Sequence, residues 1–173
     1  MTKVGDGRYD TAGAVHEIPL PDDVPGALFL CGFGVIGPDP VAALDFVQGD
    51  LAVCLLTTKG IVRRFPDYLD WLAHPQPAEA IHVEIEDYHV TDDATMIELV
   101  DTVAARLRNG TRVLAHCGAG WGRAGQLTVG VLLALGAADL SSAVTHLRRH
   151  RPGAGPESDP QHTQLAHLEA HYR

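Results

Sequence analysis

A short apolar stretch at residues 111–115 runs directly into a glycine-rich loop, and a long apolar helical pattern follows at residues 127–135. A buried strand, a tight loop and a helix in this order form the basic unit of α/β folds. The loop begins at Cys117, and five residues separate this cysteine from Arg123. Glycine-rich loops that close onto a helix N-terminus direct backbone N–H groups at an anion, and the helix dipole adds to the attraction. The segment at residues 117–123, called the cysteine loop below, is therefore predicted to bind an anion.

Strand and helix patterns alternate along the rest of the chain. The strand patterns cover residues 16–20, 27–31, 51–56, 80–85 and 111–115. The helical patterns cover residues 40–47, 65–73, 94–107, 127–135, 140–150 and 160–171. This alternation predicts an α/β fold, a three-layer sandwich in which helices flank a mostly parallel central sheet. Ligands of such sheets bind outside the carboxyl ends of the strands, where Cys117 follows its own strand.

Length and charge narrow the range of partners. A chain of 173 residues predicts a single domain, with a flexible N-terminal arm at the polar residues 1–14. The formal net charge of −9 argues against nucleic acid or an anionic membrane as a partner. The longest apolar run, residues 129–135, is too short to span a bilayer, and the N-terminus lacks the apolar core of a signal peptide. A cytoplasmic protein is therefore expected, and the sequence does not indicate its oligomeric state.

The chemistry of Cys117 and Arg123 predicts phosphate chemistry on sulfur. The field of loop amides and helix dipole favours a thiolate over a thiol, because the charged form gains the hydrogen bonds. Arg123 supplies a planar, permanently charged fork that can bind two oxygens of a tetrahedral anion. The alternative is a buried cysteine beside a helix-capping loop, with Arg123 in a surface ion pair. That alternative leaves the glycines and the spacing unexplained.

The run His116-Cys117-Gly-Ala-Gly120-Trp-Gly-Arg123 resembles the His-Cys-x-x-Gly-x-x-Arg signature of the cysteine-dependent protein tyrosine phosphatase superfamily. The chain around it is similar to the small dual-specificity members of that superfamily over about residues 15–171. The resemblance implies a protein tyrosine or dual-specificity phosphatase that hydrolyses phosphomonoesters through a cysteinyl-phosphate intermediate. The implied substrate is a phosphorylated protein or a small phosphoester, and no cofactor or metal is expected.

The resemblance also assigns roles to the loop residues. The loop amides and the guanidinium would hold the equatorial oxygens of the phosphoryl group in the transition state. The phosphate-binding residues on this basis are Gly118, Ala119, Gly120, Trp121, Gly122 and Arg123. His116 is expected to support the loop by donating to a nearby carbonyl, or else only to pack at the end of its strand. Trp121 forms a wall against an aromatic phosphoester or packs the loop against the protein.

A proton donor for the leaving group is expected upstream of the cysteine, because the resembled family carries an aspartate there. Asp87 directly follows a strand pattern, 30 residues before Cys117, and is the favoured candidate. Asp92 and Asp93 lie where residues cap and stabilise the start of a helix, which explains them without catalysis. Glu86 is a weaker candidate for the same role.

Ala124 departs from the family pattern, in which a serine or threonine follows the arginine and assists release of the cysteine sulfur. We therefore expect slow hydrolysis of the phosphoenzyme. A second candidate function follows from this position: a phosphate-recognising module with low turnover, similar to a pseudophosphatase. Residues 118–122 contain no lysine, which disfavours inositol phospholipids as substrates. A sulfurtransferase, which also uses a cysteine loop, ranks low because it needs no upstream aspartate.

Several other polar residues have two interpretations. The favoured interpretation is that three cations are solvated charges before a helix: Lys59, Arg63 and Arg64. The alternative is that they border the pocket. Cys54 forms a protective disulfide with Cys117 under oxidation or, again favoured, is an inert buried thiol.

Two histidine pairs and two glutamines are candidates for a metal site and for a water-positioning role. Histidines spaced to share one helix face, which can chelate zinc, are His146 with His150 and His167 with His171. A third ligand is missing, so a metal site is not favoured. Neither Gln161 nor Gln164 has the spacing of the glutamine that positions water in tyrosine phosphatases, and that role is not assigned.

Overall fold

The computed structural model describes residues 14–173, and a five-stranded sheet lies at its centre. The strands are β1 (His16–Ile18), β2 (Ala27–Gly32), β3 (Leu51–Cys54), β4 (Glu79–His82) and β5 (Arg112–Cys117). Their order in the sheet is β1-β2-β5-β3-β4, and β1 pairs with β2 antiparallel while all other pairs are parallel. The predicted α/β fold with a mostly parallel sheet is confirmed, and the sheet is mixed because of β1.

Eight helices cover the two faces of the sheet within the described residues. They are α1 (Phe33–Ile36), α2 (Pro40–Val47), α3 (Thr58–Val62), α4 (Pro66–Ala73), α5 (Asp93–Arg108), α6 (Gly122–Ala134), α7 (Leu140–His150) and α8 (Asp159–Tyr172). Successive strand residues point to opposite faces, so Val113 and Ala115 contact the core under α5–α8, and Leu114 contacts the core under α1–α4. These two cores make the three layers of the predicted sandwich.

Side-chain caps explain where several helices begin. Asp39 accepts a hydrogen bond from the backbone N–H of Ala42 at 2.9 Å, and Pro40 occupies the first turn of α2. Asp92 caps α5 in the same way through Thr95. The predicted start of the last helix is shifted by one position, because Ser158 is its N-cap residue and Asp159 lies in its first turn.

Two short helices were not predicted, and one helix begins earlier than predicted. The apolar run at residues 51–56 leaves the sheet after Cys54, because Thr57 accepts a hydrogen bond from the N–H of Gly60 and caps α3. Helix α1 follows β2 without a turn signal in the sequence. Helix α6 begins at Gly122 and not at residue 127, because Gly122, Ala124 and Gly125 add no large apolar side chain to the pattern although their backbone is helical.

Helix α6 occupies the middle of its layer, and all of its residues except Ala134 are buried. A helix buried on every side needs neighbours that enclose it, and α5, α7 and α8 do so here. In residues 14–173, no helix combines the length and apolar character needed to cross a membrane. The predicted N-terminal arm lies outside the described residues apart from Ala14, which is buried.

Candidate active site

Cys117 is the last residue of β5, the central strand of the sheet, and only 2% of its surface is exposed. The neighbouring strands end at the same level, since Gly32 of β2 pairs with Cys117 and Cys54 of β3 pairs with His116. The cysteine therefore lies at the carboxyl edge of a parallel part of the sheet, where the sequence predicts the ligand site.

The backbone of the cysteine loop requires glycine at position 120. Gly120 has φ of +73°, which lies in the left-handed region that disfavours other residues. A Cβ atom at this position would overlap the carbonyl oxygen of Cys31 and would lie 2.7 Å from Nη2 of Arg151. The loop is thus packed closely against β2. The N–H of Phe33 also donates to the carbonyl of Gly118 at 2.9 Å.

The loop leads into the first turn of α6, which contains Arg123. The N-terminus of α6 directs its first N–H groups towards the loop, as required for an anion site. The side chain of Arg123 is 7% exposed, and its Nη1 donates to the carbonyl of Ile85 at 2.8 Å. The other terminal nitrogen, Nη2, lies 3.0 Å from Oδ1 of Asp87. Arg123 therefore joins the cysteine loop to residues 83–92, the segment between β4 and α5.

The Asp87 carboxylate is 66% exposed and faces a cavity of about 520 Å³. Gly118 and Arg123 of the cysteine loop line the same cavity, together with Phe33. The structure thus brings together Asp87 and Arg123, although 36 positions separate them in the sequence. Asp87, Arg123 and the cysteine loop therefore line one cavity.

The other acidic candidates are engaged elsewhere or lie outside this cavity. Asp92 accepts hydrogen bonds from the N–H and hydroxyl of Thr95, and these bonds hold the pKa of Asp92 below its usual value. Asp93 accepts from two side chains of α8, which also lower its pKa. Glu86 is exposed, and it is not part of the lining that contains Asp87. Both predicted helix-start residues therefore have the structural role expected of them.

Two further arginines line the cavity together with Arg123. Arg63 and Arg64 are exposed, which agrees with the favoured interpretation that they are solvated charges. Both also line the cavity, which agrees with the alternative that they border the pocket. The guanidinium of Arg64 lies over the rings of Phe33 and Phe65, with distances of 5.5 and 5.4 Å to the ring centres. Lys59 is exposed and does not contribute to this lining. Two of the three cations thus lie near the cysteine loop.

His116 contacts a residue that the sequence analysis did not select. Its Nε2 lies 2.6 Å from the hydroxyl oxygen of Tyr68, and its ring stacks on Phe33 with 5.7 Å between centres. This contact differs from the predicted donation to a carbonyl. Burial lowers the pKa of His116 to about 3, so the imidazole is neutral at physiological pH.

This burial predicts an acid-dependent loss of stability. The unfolded chain protonates His116 below its ordinary pKa of 6.5, and the folded protein does not do so until about 3. The free energy of unfolding should therefore fall as the pH is lowered through 6.5. Thermal unfolding between pH 7 and 5 measures the slope, which should be smaller in His116→Gln. Equal slopes in the two proteins would contradict the assignment.

Arg151 is a loop-supporting residue that the sequence analysis missed. It lies at the C-terminus of α7, is fully buried, and donates to the carbonyls of Ala119 and Gly120 at 3.0 and 2.7 Å. The family resemblance over residues 15–171 includes Arg151 and assigns it no role. No local pattern separates this buried arginine from its exposed neighbour Arg149.

Gln161 is closer to the cysteine loop than its spacing indicated. It is buried, and its Oε1 accepts from the N–H of Glu157 at 2.8 Å. Its Nε2 would lie 3.4 Å from a Cβ atom at position 122, which places Gln161 beside Gly122. Gln164 instead donates to the carbonyl of Thr91 at 2.7 Å, away from the loop.

The remaining candidates have structural contacts. Ala124 is fully buried, and its carbonyl accepts from the hydroxyl of Thr128 at 2.8 Å. Trp121 is partly buried, and its carbonyl accepts from the N–H groups of Gly125 and Gly155. Burial raises the pKa of the free thiol of Cys54 to about 12, so this thiol stays protonated.

The histidine pairs make ordinary contacts. The rings of His146 and His150 lie 4.7 Å apart, and His150 also contacts the carbonyl of His146 at 2.9 Å. His167 lies 2.7 Å from a carboxylate oxygen of Asp93. Within residues 14–173, no three or more histidine, cysteine or acidic side chains are grouped so that they could hold a metal ion.

The fold described above is that of dual-specificity phosphatase domains. The family described as Swiss Army Knife protein, DSP-PTPase phosphatase domain, matches residues 50–163, which contain Asp87, Cys117 and Arg123. The chain belongs to this family of phosphatase domains. No curated protein matches it by sequence.

Solved phosphatase structures share the fold. Tk-PTP in its active form is 24% identical, with a TM-score of 0.66 over 87% of this chain and 99% of its own. A kinase associated phosphatase, solved with its catalytic-site cysteine replaced by serine, is 20% identical, with a TM-score of 0.77 over 92% and 95%. Human DUSP28 is 19% identical, with a TM-score of 0.65 over 90% and 93%.

Proposed function

We propose that residues 1–173 form one phosphatase domain that hydrolyses phosphotyrosine or dual-specificity protein substrates through a cysteinyl-phosphate on Cys117. One observation carries this proposal. The guanidinium that follows the cysteine by six positions lies 3.0 Å from the carboxylate of Asp87, in one cavity with the cysteine loop. An anion-binding group and a proton donor thus face the same space beside a nucleophile.

In the first step, the thiolate of Cys117 attacks phosphorus, and a sulfur–phosphorus bond forms as the bond to the leaving oxygen breaks. Asp87 in its protonated form donates its proton to that oxygen, which leaves as an alcohol or phenol. The phosphoryl oxygens take the place of the Asp87 carboxylate on Arg123. The same exchange frees Asp87 for its role as acid.

In the second step, a water molecule attacks phosphorus, and the sulfur–phosphorus bond breaks to regenerate the thiolate. Asp87, now a carboxylate, accepts the proton of the water. Arg123 and the amides of residues 118–123 neutralise the charge of the equatorial oxygens in both steps. The charge that the reaction needs is therefore supplied by this chain's own residues.

The electrostatics of the cavity support an anionic substrate. The whole protein carries a net charge of −9, which would repel a phosphoester at a distance. Three arginines, Arg63, Arg64 and Arg123, line the cavity against the single carboxylate of Asp87, so the charge of its lining is positive. An acidic protein can thereby admit an anionic substrate at one position.

The direct test is hydrolysis of p-nitrophenyl phosphate and of a phosphotyrosine peptide, with rapid acid quenching and mass analysis of the protein. We expect release of phosphate from both compounds and a covalent phosphate on the tryptic peptide that contains Cys117. Steady turnover without any phosphorylated protein at early times would argue for a different mechanism. Absence of turnover with retained tungstate binding would favour the phosphate-recognising module.

Replacing Asp87 by asparagine removes the proton donor and keeps the size of the side chain. We expect kcat for a phenyl phosphate substrate to fall by about 10²–10³-fold, within the range for loss of a general acid. The loss should be smaller for p-nitrophenyl phosphate, because its leaving group departs without protonation.

Asp92→Asn is the matched control for Asp87→Asn. Asparagine caps a helix about as well as aspartate, so this variant should keep the cap of α5 and should leave stability and kcat nearly unchanged. Equal losses of kcat in the two variants would reject Asp87 as the acid. So would a loss in Asp87→Asn that is the same for phenyl phosphate and for p-nitrophenyl phosphate.

The second candidate function, a module with low turnover, depends on Ala124. This residue is fully buried, and the nearby hydroxyl of Thr128 is already bonded to the carbonyl of Ala124. No hydroxyl therefore stands at the position from which the resembled family assists release of sulfur.

We expect a burst of nitrophenol, stoichiometric with the protein, followed by a slow steady rate. Ala124→Ser should raise the steady rate and reduce the burst, because the added hydroxyl can donate to the leaving sulfur. Stopped-flow absorbance on both proteins measures the two phases. A wild-type time course without a burst, combined with an unchanged rate in Ala124→Ser, would remove the basis for slow phosphoenzyme hydrolysis.

A further inference from the structure

Arg151 is a fully buried cation whose hydrogen bonds all end on backbone carbonyls and one imidazole. It caps the C-terminus of α7. Its acceptors are the carbonyls of Gly120 at 2.7 Å, Ala119 at 3.0 Å, Ala14 and Leu30 each at 3.2 Å, and Nδ1 of His16 at 2.8 Å. Within the described part of the chain, no carboxylate forms an ion pair with it. Burial lowers the pKa of Arg151 only to about 10, so it stays charged at neutral pH.

Two of these acceptors belong to the most constrained part of the cysteine loop. In a planar trans peptide unit, the carbonyl and the following N–H point in opposite directions. When Arg151 draws the carbonyls of Ala119 and Gly120 towards itself, the N–H groups of Gly120 and Trp121 are directed away from Arg151. The guanidinium therefore determines which side of the loop presents donors.

A buried cation without a carboxylate is costly unless its partners hold it, and here they do so from three separate parts of the fold. Its Nη1 contacts one residue before β1, one in β1 and one in β2. Its Nε and Nη2 donate to carbonyls of the cysteine loop. The planar fork of arginine suits this arrangement, because its donors point in fixed and divergent directions. A lysine ammonium at the same place could satisfy only part of the set.

We propose that Arg151 is a positioning residue, which holds the amides of Gly120 and Trp121 in the orientation that binds the phosphoryl oxygens of the substrate. Arg151 acts from behind the loop and touches no substrate atom. The inference rests on the proposed function, since it requires that the cysteine loop binds a phosphoester.

The test uses Arg151→Lys, with tungstate as a tetrahedral dianion. Tungstate inhibition of p-nitrophenyl phosphate hydrolysis should weaken at least about tenfold, the change expected for loss of hydrogen bonds worth about 1.4 kcal/mol. The value of kcat/KM should fall with it. Arg149→Lys makes the same chemical change at an exposed position of α7, and its inhibition constant should equal that of the wild type.

His16→Ala separates positioning from general stability. It removes an acceptor of Arg151 that lies outside the cysteine loop, so the bonds to Ala119 and Gly120 remain. We expect a lower melting temperature and a tungstate inhibition constant within about twofold of wild type, a difference below 0.5 kcal/mol. If tungstate inhibits Arg151→Lys as strongly as the wild type, or if His16→Ala weakens inhibition equally, the proposal is overturned.

A second measurement, on protein that retains Arg151, covers the case in which Arg151→Lys does not fold. Tungstate is titrated into ¹⁵N-labelled Cys117→Ser protein, and the amide proton signals are followed by NMR. The signals of Gly120 and Trp121 should move downfield with saturation of the site. Binding of tungstate without movement of these two signals overturns the positioning role alone, whereas absence of binding contradicts the proposed function itself.

Discussion

Cys117→Ser should reduce the hydrolysis of p-nitrophenyl phosphate by at least about 10⁴-fold, the scale seen when a catalytic nucleophile is removed. The physical reason is the charge state of the attacking atom. A thiol is far more acidic than a serine hydroxyl and its thiolate is the stronger nucleophile, so serine cannot replace cysteine in the attack on phosphorus. Serine has the same side-chain shape as cysteine and is only slightly smaller, so the packing at the end of β5 should survive.

The control for this variant is Cys54→Ala, which removes another buried thiol from the adjacent strand. It should lower the melting temperature and leave kcat within about threefold, because core truncation acts on stability. Isothermal titration with tungstate checks that Cys117→Ser still binds an anion. Retention of more than about one hundredth of the wild-type rate would exclude Cys117 as the nucleophile, given the size of effect expected.

Arg123→Ala should lower kcat/KM by about 10³–10⁵-fold, the range for an arginine that stabilises charge in phosphoryl transfer. On the proposed mechanism, the variant loses the contacts of the guanidinium to the phosphoryl oxygens. It also loses the hydrogen bond to the Ile85 carbonyl and the contact to Asp87, which hold residues 83–92 against the cysteine loop. We therefore expect both weaker tungstate binding and slower chemistry.

Arg64→Ala is the control for charge at the cavity mouth. Arg64 is exposed and lies over two aromatic rings, so its loss should change kcat/KM by less than about tenfold, chiefly through KM. Arg123→Lys adds a second comparison, because it keeps the charge and loses the planar fork. An Arg123→Ala defect no larger than that of Arg64→Ala would show that Arg123 contributes only to the general field.

The local part of the site could be predicted from sequence because its geometry is set by neighbouring residues. Cys117 and Arg123 are six positions apart on a strand end and a helix start, so the backbone alone brings them near each other. The alternating pattern of strands and helices likewise predicted the layers, since each element must bury one apolar face. The helix start at Gly122 was missed, because glycines leave no apolar pattern.

The position of Asp87 was inferred from its order before Cys117 and from the family resemblance, not from a contact pattern. Its approach to Arg123 depends on where β4 ends and how residues 83–92 return across the sheet edge. The sequence left open whether Arg63 and Arg64 border the pocket, and the tertiary structure places both in the lining of the cavity. Such contacts depend on packing between elements.

By itself, the sequence determined the α/β class, the family and the pairing of a cysteine with an arginine at a helix start, because all three depend on short-range order. Only the tertiary structure decided that Arg151 holds the loop carbonyls and that Tyr68 contacts His116. These partners lie more than 30 positions apart in the chain. Their contacts exist because the packed layers bring buried polar groups together, where each must find a partner.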